Sequence, residues 1–441
     1  MVHLFSLNGY NIALDSASGA VHALSDVCYT LLLRLNPPTA CGGSLPQRQQ
    51  VGDCKGGKEE QEAHDELMEL YNEGLLFSED INVAAIPNTI IKSMCLHISH
   101  DCNLRCKYCF AGTGDFNHGR SLMSYETGKK AIDFLMRKSG KIHNLEIDFF
   151  GGEPMMNFDV VKQIVEYGRE VEKVYNKNIR FTLTTNGTLL NDENIDYINE
   201  NISNIVLSLD GRKTVNDSMR GNGTYDRILN NYKKLVDKRD KDYYIRGTFT
   251  RNNLDFTDDV LHIAEQGFEQ ISVEPVVLDY DSEYSLRKED LPKIFAEYEK
   301  LALEIIEKQS FNFFHFMIDL DAGPCLYKRV KGCGSGSEYV AVTPDGDIYP
   351  CHQFVGYNEY KMGNVWTDEF DTTIQKTFAN NNITTIDECS ECWAKYYCGG
   401  GCAANNYKFN QKINVPYHLA CELEKKRVEC ALMIKAALAE E

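Results

Sequence analysis

Apolar and polar positions alternate around turn residues from residue 1 to about residue 35. LFSLNGYNIALD reads as a strand, an Asn8-Gly9 turn and a second strand. Asp15-Ser16-Ala17-Ser18-Gly19 predicts another turn ahead of AVHALS, and Asp26 is placed to cap a helix, DVCYTLLLRL. The Pro- and Gly-rich stretch NPPTACGGSLPQRQQVGDCKGGK predicts a mobile loop. HDELMELYNEGLLF then has helical apolar spacing and predicts a helix ending in a short strand. Residues 1–89 therefore predict a winged-helix-like module, but one without the basic recognition helix of a DNA reader.

From about residue 93 the rhythm becomes strand alternating with helix. The strand candidates are MCLHIS, LEIDFF, IRFTLTT, NIVLSL, YYIRGTFT and QISVEPVVL. Helical patterns lie between them, among them YETGKKAIDFLMRK, FDVVKQIVEYGREVEKVY and FTDDVLHIAEQG. Six β-α units predict a parallel sheet with right-handed crossovers, wound as a partial (β/α)6 TIM-like barrel over residues 90–310. Barrels of this kind place their chemistry at the C-terminal strand ends. After about residue 310 the alternation stops. EYVAVTPDGDIYPC predicts a hairpin around Asp345-Gly346, and a helix is expected from Tyr417 to Ala439 in a Cys-rich region, residues 311–441.

Composition narrows the class. The chain has 441 residues, 43% hydrophobic and 25% charged, with a formal net charge of −19. That charge disfavours nucleic acid as a partner. No apolar run is long enough to span a bilayer, and no basic segment with an apolar core opens the chain. A cytoplasmic protein without a membrane partner is expected. Sixteen cysteines in such a compartment point to metal binding or catalysis rather than disulfides. Their distribution supports this. Cys102, Cys106 and Cys109 form one group, none occurs between Cys109 and Cys325, and most of the rest crowd the last third.

Three thiolates on one tight loop can hold three irons of a 4Fe–4S cluster and leave the fourth open to a small chelating molecule. A zinc site closed by His97 or His100 is the alternative. CNLRCKYC, together with the pattern over residues 93–280, resembles the radical S-adenosylmethionine (SAM) enzymes. The resemblance implies that the open iron chelates SAM, whose reductive cleavage yields a 5′-deoxyadenosyl radical that takes a hydrogen atom from substrate. It also implies roles for further residues. Gly151, Gly152, Glu153 and Pro154 match the GGEP motif, where the glycines admit a close backbone and Glu153 accepts from the methionine ammonium. Tyr108 matches the position beside the adenine. Thr184 and Asn186 match a segment lining ribose and methionine, Ser208 and Asp210 match further ribose contacts, and Arg220 matches an arginine that reaches the carboxylate.

The late cysteines resemble the SPASM extension of peptide-modifying radical SAM enzymes, which holds two auxiliary 4Fe–4S clusters, making three in all. By that resemblance Cys389, Cys392, Cys398 and Cys421 hold the distal auxiliary cluster, and Cys333, Cys351 and Cys402 hold the nearer one. Cys325 is the candidate fourth ligand of the nearer cluster; without it that iron is open to a substrate thiolate. Gly399, Gly400 and Gly401 would let the backbone turn between Cys398 and Cys402. The whole layout resembles maturases of ribosomally made peptides, and among them the thioether-forming maturases of the six-cysteines-in-forty-five type. This implies a Cys-rich precursor peptide whose leader adds a strand to the N-terminal module, with threonine as the expected acceptor residue. It also implies an electron donor such as ferredoxin or flavodoxin. Formylglycine formation by a sulfatase-type maturase, carbon–carbon crosslinking, and a non-catalytic peptide-binding or electron-transfer protein remain the alternatives.

Overall fold

The computed structural model describes residues 1–35, 57–80, 87–116, 118–318, 330–367 and 369–439. The predicted loop after Leu35 falls outside them over residues 36–56, as does Cys325. The chain forms two compact units. One comprises Met1–Ile86, Leu291–Gly332 and Asn381–Glu441; the other comprises Pro87–Asp290 and Cys333–Asn380.

In the first unit, β1 (Val2–Leu7), β2 (Tyr10–Asp15) and β3 (Val21–Leu24) form an antiparallel sheet in the order β1-β2-β3. The β1–β2 turn is built as expected, with Asn8 at φ 51° and Gly9 at φ 88°. Helices α1 (Asp26–Leu35) and α2 (Lys58–Asn72) cover one face, closing a core of Ala13, Cys28, Leu31, Leu32, Ala63 and Leu67. Three expectations need correction. Ser25 caps α1, accepting from Cys28 N at 3.2 Å, while Asp26 is already helical and accepts from Asn11. Helix α2 begins six residues before His64, because Glu59 and Glu60 favour a helix N-terminus. No strand follows it, since Gly74 and Phe77 take left-handed conformations there. The helix His418–Ala439, one residue shorter than predicted, packs on all three strands and on the helix Leu291–Lys308.

In the second unit, β4 (Ser93–Ser99), β5 (Asn144–Gly151), β6 (Asn178–Thr185), β7 (Asn204–Ser208), β8 (Asp242–Phe249) and β9 (Gln270–Pro275) pair in sequence order, all parallel. Strand β9 stops at Pro275, short of the predicted run, where the ladder loses a donor. The intervening helices include α3 (Tyr125–Lys138), α4 (Phe158–Tyr175), α5 (Asp192–Asn201), α6 (Lys213–Arg220), α7 (Thr224–Asp237) and α8 (Phe256–Glu265). Helices α3, α4 and α8 start where the sequence placed them. One sheet face is apolar and fully buried: Ile147, Phe149, Phe181, Leu183, Ile205, Leu207, Ile245 and Phe249. The other face carries polar positions, including Cys95, Asp148, Thr182, Ser208, Arg246 and Glu274. This alternation is what a one-sided helix layer requires of a wound sheet. The predicted hairpin forms, Tyr339–Val342 with Asp347–Tyr349, and its first strand extends the sheet in parallel beside β4.

Candidate active site

The ends of β4 to β7 converge. Ser99 closes β4 and the loop to Cys109 follows. The Gly151-Gly152 pair at the end of β5 lies directly against the root of that loop. Gly152 N donates to Ser99 O at 2.8 Å and Glu153 N to Asp101 O at 2.9 Å. A Cβ on Gly151 would stand 2.2 Å from Ser99 O, and one on Gly152 2.2 Å from Asp101 O. The close backbone the glycines admit is therefore the cysteine loop itself. Pro154 is buried at the start of a short 3-10 turn. Cys102, Cys106 and Cys109 lie together on the loop. Burial pushes Cys102 up to about 12 and Cys106 up to about 11 and raises Cys109, although Arg220 beside Cys106 and Cys109 works against it. Bound iron would remove those protons.

Glu153 is 1% exposed. It accepts from Thr185 Oγ1 at 2.7 Å, Asn186 N at 2.7 Å and Met155 N at 3.0 Å. Burial still pushes its carboxyl up to about 7, because all three partners are neutral donors. Asn186 reaches back to the cysteine loop, donating to Asn103 Oδ1 at 2.9 Å and approaching Cys102 Sγ at 3.7 Å. Asn103 in turn donates to Thr188 at 2.7 Å. Thr184 sits half-buried on β6, and Ser208 half-buried at the end of β7.

Asp210, just past β7, is fully buried and the most heavily shared acceptor of the site. It takes Tyr108 Oη at 2.7 Å, Arg220 Nε at 3.0 Å, Arg220 Nη2 at 2.8 Å and Thr248 N at 3.0 Å. Burial opposes the charge on Arg220, but the Asp210 carboxylate outweighs it and raises the guanidinium's pKa further. The sequence assigned these two side chains separately to a ligand; the structure joins them to each other and to Tyr108.

The later cysteines divide between the units. Cys389, Cys392, Cys398 and Cys421 converge within the first unit. Burial, then the other thiols, drives Cys389 and Cys421 up to about 12. Gly399, Gly400 and Gly401 take φ of 71°, 95° and 73°, the left-handed run needed to reverse the chain after Cys398. Cys402 belongs to the same unit, while Cys333 and Cys351 belong to the second. Among the described residues no three His, Cys, Asp or Glu side chains converge on a single-ion site. His97 and His100 are fully buried and paired with each other at 2.9 Å.

Sequence reading missed Asn103, Thr185 and Thr188, which lock the loop, and Tyr232, whose hydroxyl ties Thr185 O to Ser208 O at 3.2 and 3.0 Å. It also missed Cys95, buried on β4 beside Tyr339, Asp148 and Cys351. Only Asn103 had a local signal, its place directly after Cys102.

Residues 96–250 match the radical SAM superfamily, and residues 333–393 match the SPASM iron–sulfur cluster-binding domain. The chain is a radical SAM protein with a SPASM domain. A cysteine-type anaerobic sulfatase-maturating enzyme of Clostridium novyi (strain NT) is 25% identical over 332 residues, covering 70% of this chain and 86% of the relative. The antilisterial bacteriocin subtilosin biosynthesis protein AlbA of Bacillus subtilis (strain 168) is 24% identical over 328 residues, covering 70% and 68%. The crystal structure of Streptococcus suis SuiB bound to precursor peptide SuiA matches with a TM-score of 0.55 at 16% identity, over 94% of this chain and 98% of that one. The radical SAM domain binds SAM and a 4Fe–4S cluster, and the SPASM domain binds additional clusters. The residues present fit these groups. Three thiols share one loop, four more converge in the first unit, and Glu153 is a buried carboxylate whose described partners include no cation.

An ammonium group supplies that missing charge. SAM affinity should therefore rise as pH passes through about 7, as Glu153 ionises, and Glu153→Gln should flatten this dependence and weaken binding about tenfold or more. Calorimetric titration across pH 5.5 to 8 (about that range) checks both. The cofactor-free protein should also lose stability as pH rises toward 7. The folded state raises this carboxyl and so binds more protons there than the unfolded chain.

Proposed function

We propose that this radical SAM enzyme is a peptide maturase that joins a cysteine sulfur to a carbon of an acceptor residue, threonine being the one expected, within a Cys-rich precursor. Cys102, Cys106 and Cys109 hold the cluster that binds SAM, and Glu153 holds the ammonium of its methionine end. Cys389, Cys392, Cys398 and Cys421 hold the distal auxiliary cluster; Cys333, Cys351 and Cys402 hold the nearer one, with Cys325 as its candidate fourth ligand. When bound, cofactor and cluster supply a carbon-centred radical able to take hydrogen from an unactivated carbon. In the peptide, one C–H and one S–H bond give way to one C–S bond: the carbon gives a hydrogen atom to the radical, the thiol gives up a proton, and an auxiliary cluster would accept the surplus electron.

The observation that carries the peptide reading is the N-terminal sheet, where β3 is an edge strand. An edge strand is a template for an added peptide strand. The resemblance to the six-cysteines-in-forty-five maturases selects thioether chemistry. Formylglycine formation is the second reading, favoured by the C. novyi relative. Mass spectrometry of a Cys-rich precursor after anaerobic turnover separates the two. A thioether lowers the mass by about two hydrogens per crosslink, whereas an aldehyde made from cysteine loses those two hydrogens and also exchanges sulfur for oxygen. An unmodified precursor, with SAM cleaved, would end the peptide reading.

Leader binding is best tested by point changes. Deleting the module would strip β1 and β2 from the helix His418–Ala439. Proline placed in turn at His22 and Ala23 removes an outward or an inward N–H of β3. The outward change should weaken leader affinity about tenfold or more while sparing SAM cleavage. Fluorescence anisotropy of a labelled leader checks it, and unchanged affinity in both variants would refute strand addition.

A further inference from the structure

Three rings from three separate segments meet in the second unit. Phe110 follows Cys109, Phe150 precedes Gly151, and His352 follows Cys351. Their centroids lie 6.4 Å (Phe110–Phe150), 5.4 Å (Phe110–His352) and 5.1 Å (Phe150–His352) apart. Phe110 is 44% exposed although Ala111 after it is buried. The ring floor thus links the SAM-cluster loop, the GGEP motif and a cysteine of the SPASM domain.

Arg246 stands on the polar face of the same sheet. On β8 its neighbours Ile245 and Phe249 point to the helices and are fully buried, so Arg246 points the other way. It is in register with Ser208 on β7 and Ser272 on β9. Its side chain is 55% exposed, and its ion pair is a loose one, with Glu274 Oε1 at 3.9 Å. Glu274 is anchored in turn by Ser272 at 2.8 Å. Phe150, two residues after Asp148 on β5, lies on the same polar face of the sheet as Arg246. A guanidinium and a carboxylate side by side, on an inward face without a tight mutual hydrogen bond, can engage both the C=O and the N–H of an extended peptide. A single-sign ligand would meet repulsion from one of the two.

We infer that Arg246, with Glu274 beside it and the Phe110–Phe150–His352 rings as a floor, is a positioning residue that holds the backbone of the reacting peptide segment. The inference rests on the reading that the substrate is a peptide. Holding the segment keeps its target carbon in reach when the radical forms, so loss of the grip uncouples SAM cleavage from peptide modification.

The test uses the full chain reconstituted anaerobically and the precursor that wild type modifies, whichever bond it makes. Arg246→Ala should raise the ratio of 5′-deoxyadenosine to modified peptide, and the KM for precursor, each about tenfold, with SAM affinity unchanged. Arg246→Lys, which keeps charge and volume but not the fork, should fall between, and guards against misfolding of the alanine variant. An unchanged ratio and KM in both variants would overturn the inference. So would a parallel loss of SAM affinity, which would assign Arg246 to the cofactor or to the fold. Failure of the thioether reading shows separately, in the product mass.

Discussion

Replacing Cys102, Cys106 and Cys109 together by alanine is expected to abolish SAM cleavage while leaving about two thirds of the iron in place. The physical reason is the separation of the ligand sets. The three thiols lie on one loop after β4, whereas Cys389, Cys392, Cys398 and Cys421 converge in the other compact unit. Leu104 N and Asn186 Nδ2 reach Cys102 Sγ, but most of the loop's anchoring bypasses its sulfurs. Its root is held by main-chain bonds from Gly152 and Glu153, and its flank by Asn103 to Thr188 and Asn186. The variant should therefore fold, bind auxiliary iron and form no 5′-deoxyadenosine. Iron analysis with chromatography of the nucleoside product reads both. Complete loss of iron from a folded variant would refute the partition, and surviving cleavage would refute the loop's role.

The second large effect is on stability. Asp210→Ala removes the acceptor of Arg220, Tyr108 and Thr248 N together. Arg220 is only 8% exposed, so its charge would be left in a poorly solvated place. Breaking a buried pair on one side costs about 3–5 kcal/mol. Replacing both partners costs less, because no orphan charge remains. Asp210→Ala combined with Arg220→Met should therefore melt above Asp210→Ala alone, as measured by anaerobic calorimetry on matched cofactor-free samples. A double variant that melts as low as the sum of the two singles would show that the pair acts independently. Tyr108 loses its tether in either case, which should loosen the segment between Cys106 and Cys109.

Much of this architecture is written locally. The apolar spacing of FDVVKQIVEYGREVEKVY announces α4, and the alternation in IRFTLTT announces β6, because each pattern is set by which face meets the helix layer. Cys102, Cys106 and Cys109 stood out for a similar reason, being neighbours in sequence, whereas Cys421 was grouped with Cys389, Cys392 and Cys398 only by the resemblance. What escaped was set by contacts distant in sequence. Nothing in LSLDG or MRGNG says that Asp210 and Arg220 will neutralise each other, since that depends on how α6 returns to β7. Cys95 read as one more apolar position on β4 until the hairpin after Cys333 placed Tyr339 beside it. The roots of the two glycines were likewise hidden, because their partner is Ser99 to Asp101, some fifty residues earlier (about that separation in Gly151 and Gly152).

The three-stranded sheet has a further consequence. His3 on β1 stacks on Trp393 at 3.7 Å, between the cysteines of the distal group, and bonds Glu429 on the helix His418–Ala439 at 3.0 Å. Asp80, after α2, accepts from Tyr396 at 2.6 Å and pairs with Lys395 at 2.5 Å. The start of the chain and its last described helix thus fold as one body. A chimera that borrows only residues 1–89 from another maturase would carry half of an interlocked surface. If the module reads a leader as proposed, exchanging its specificity calls for transplanting the segment around Trp393 to Tyr396 and the final helix with the module, as a discontinuous graft.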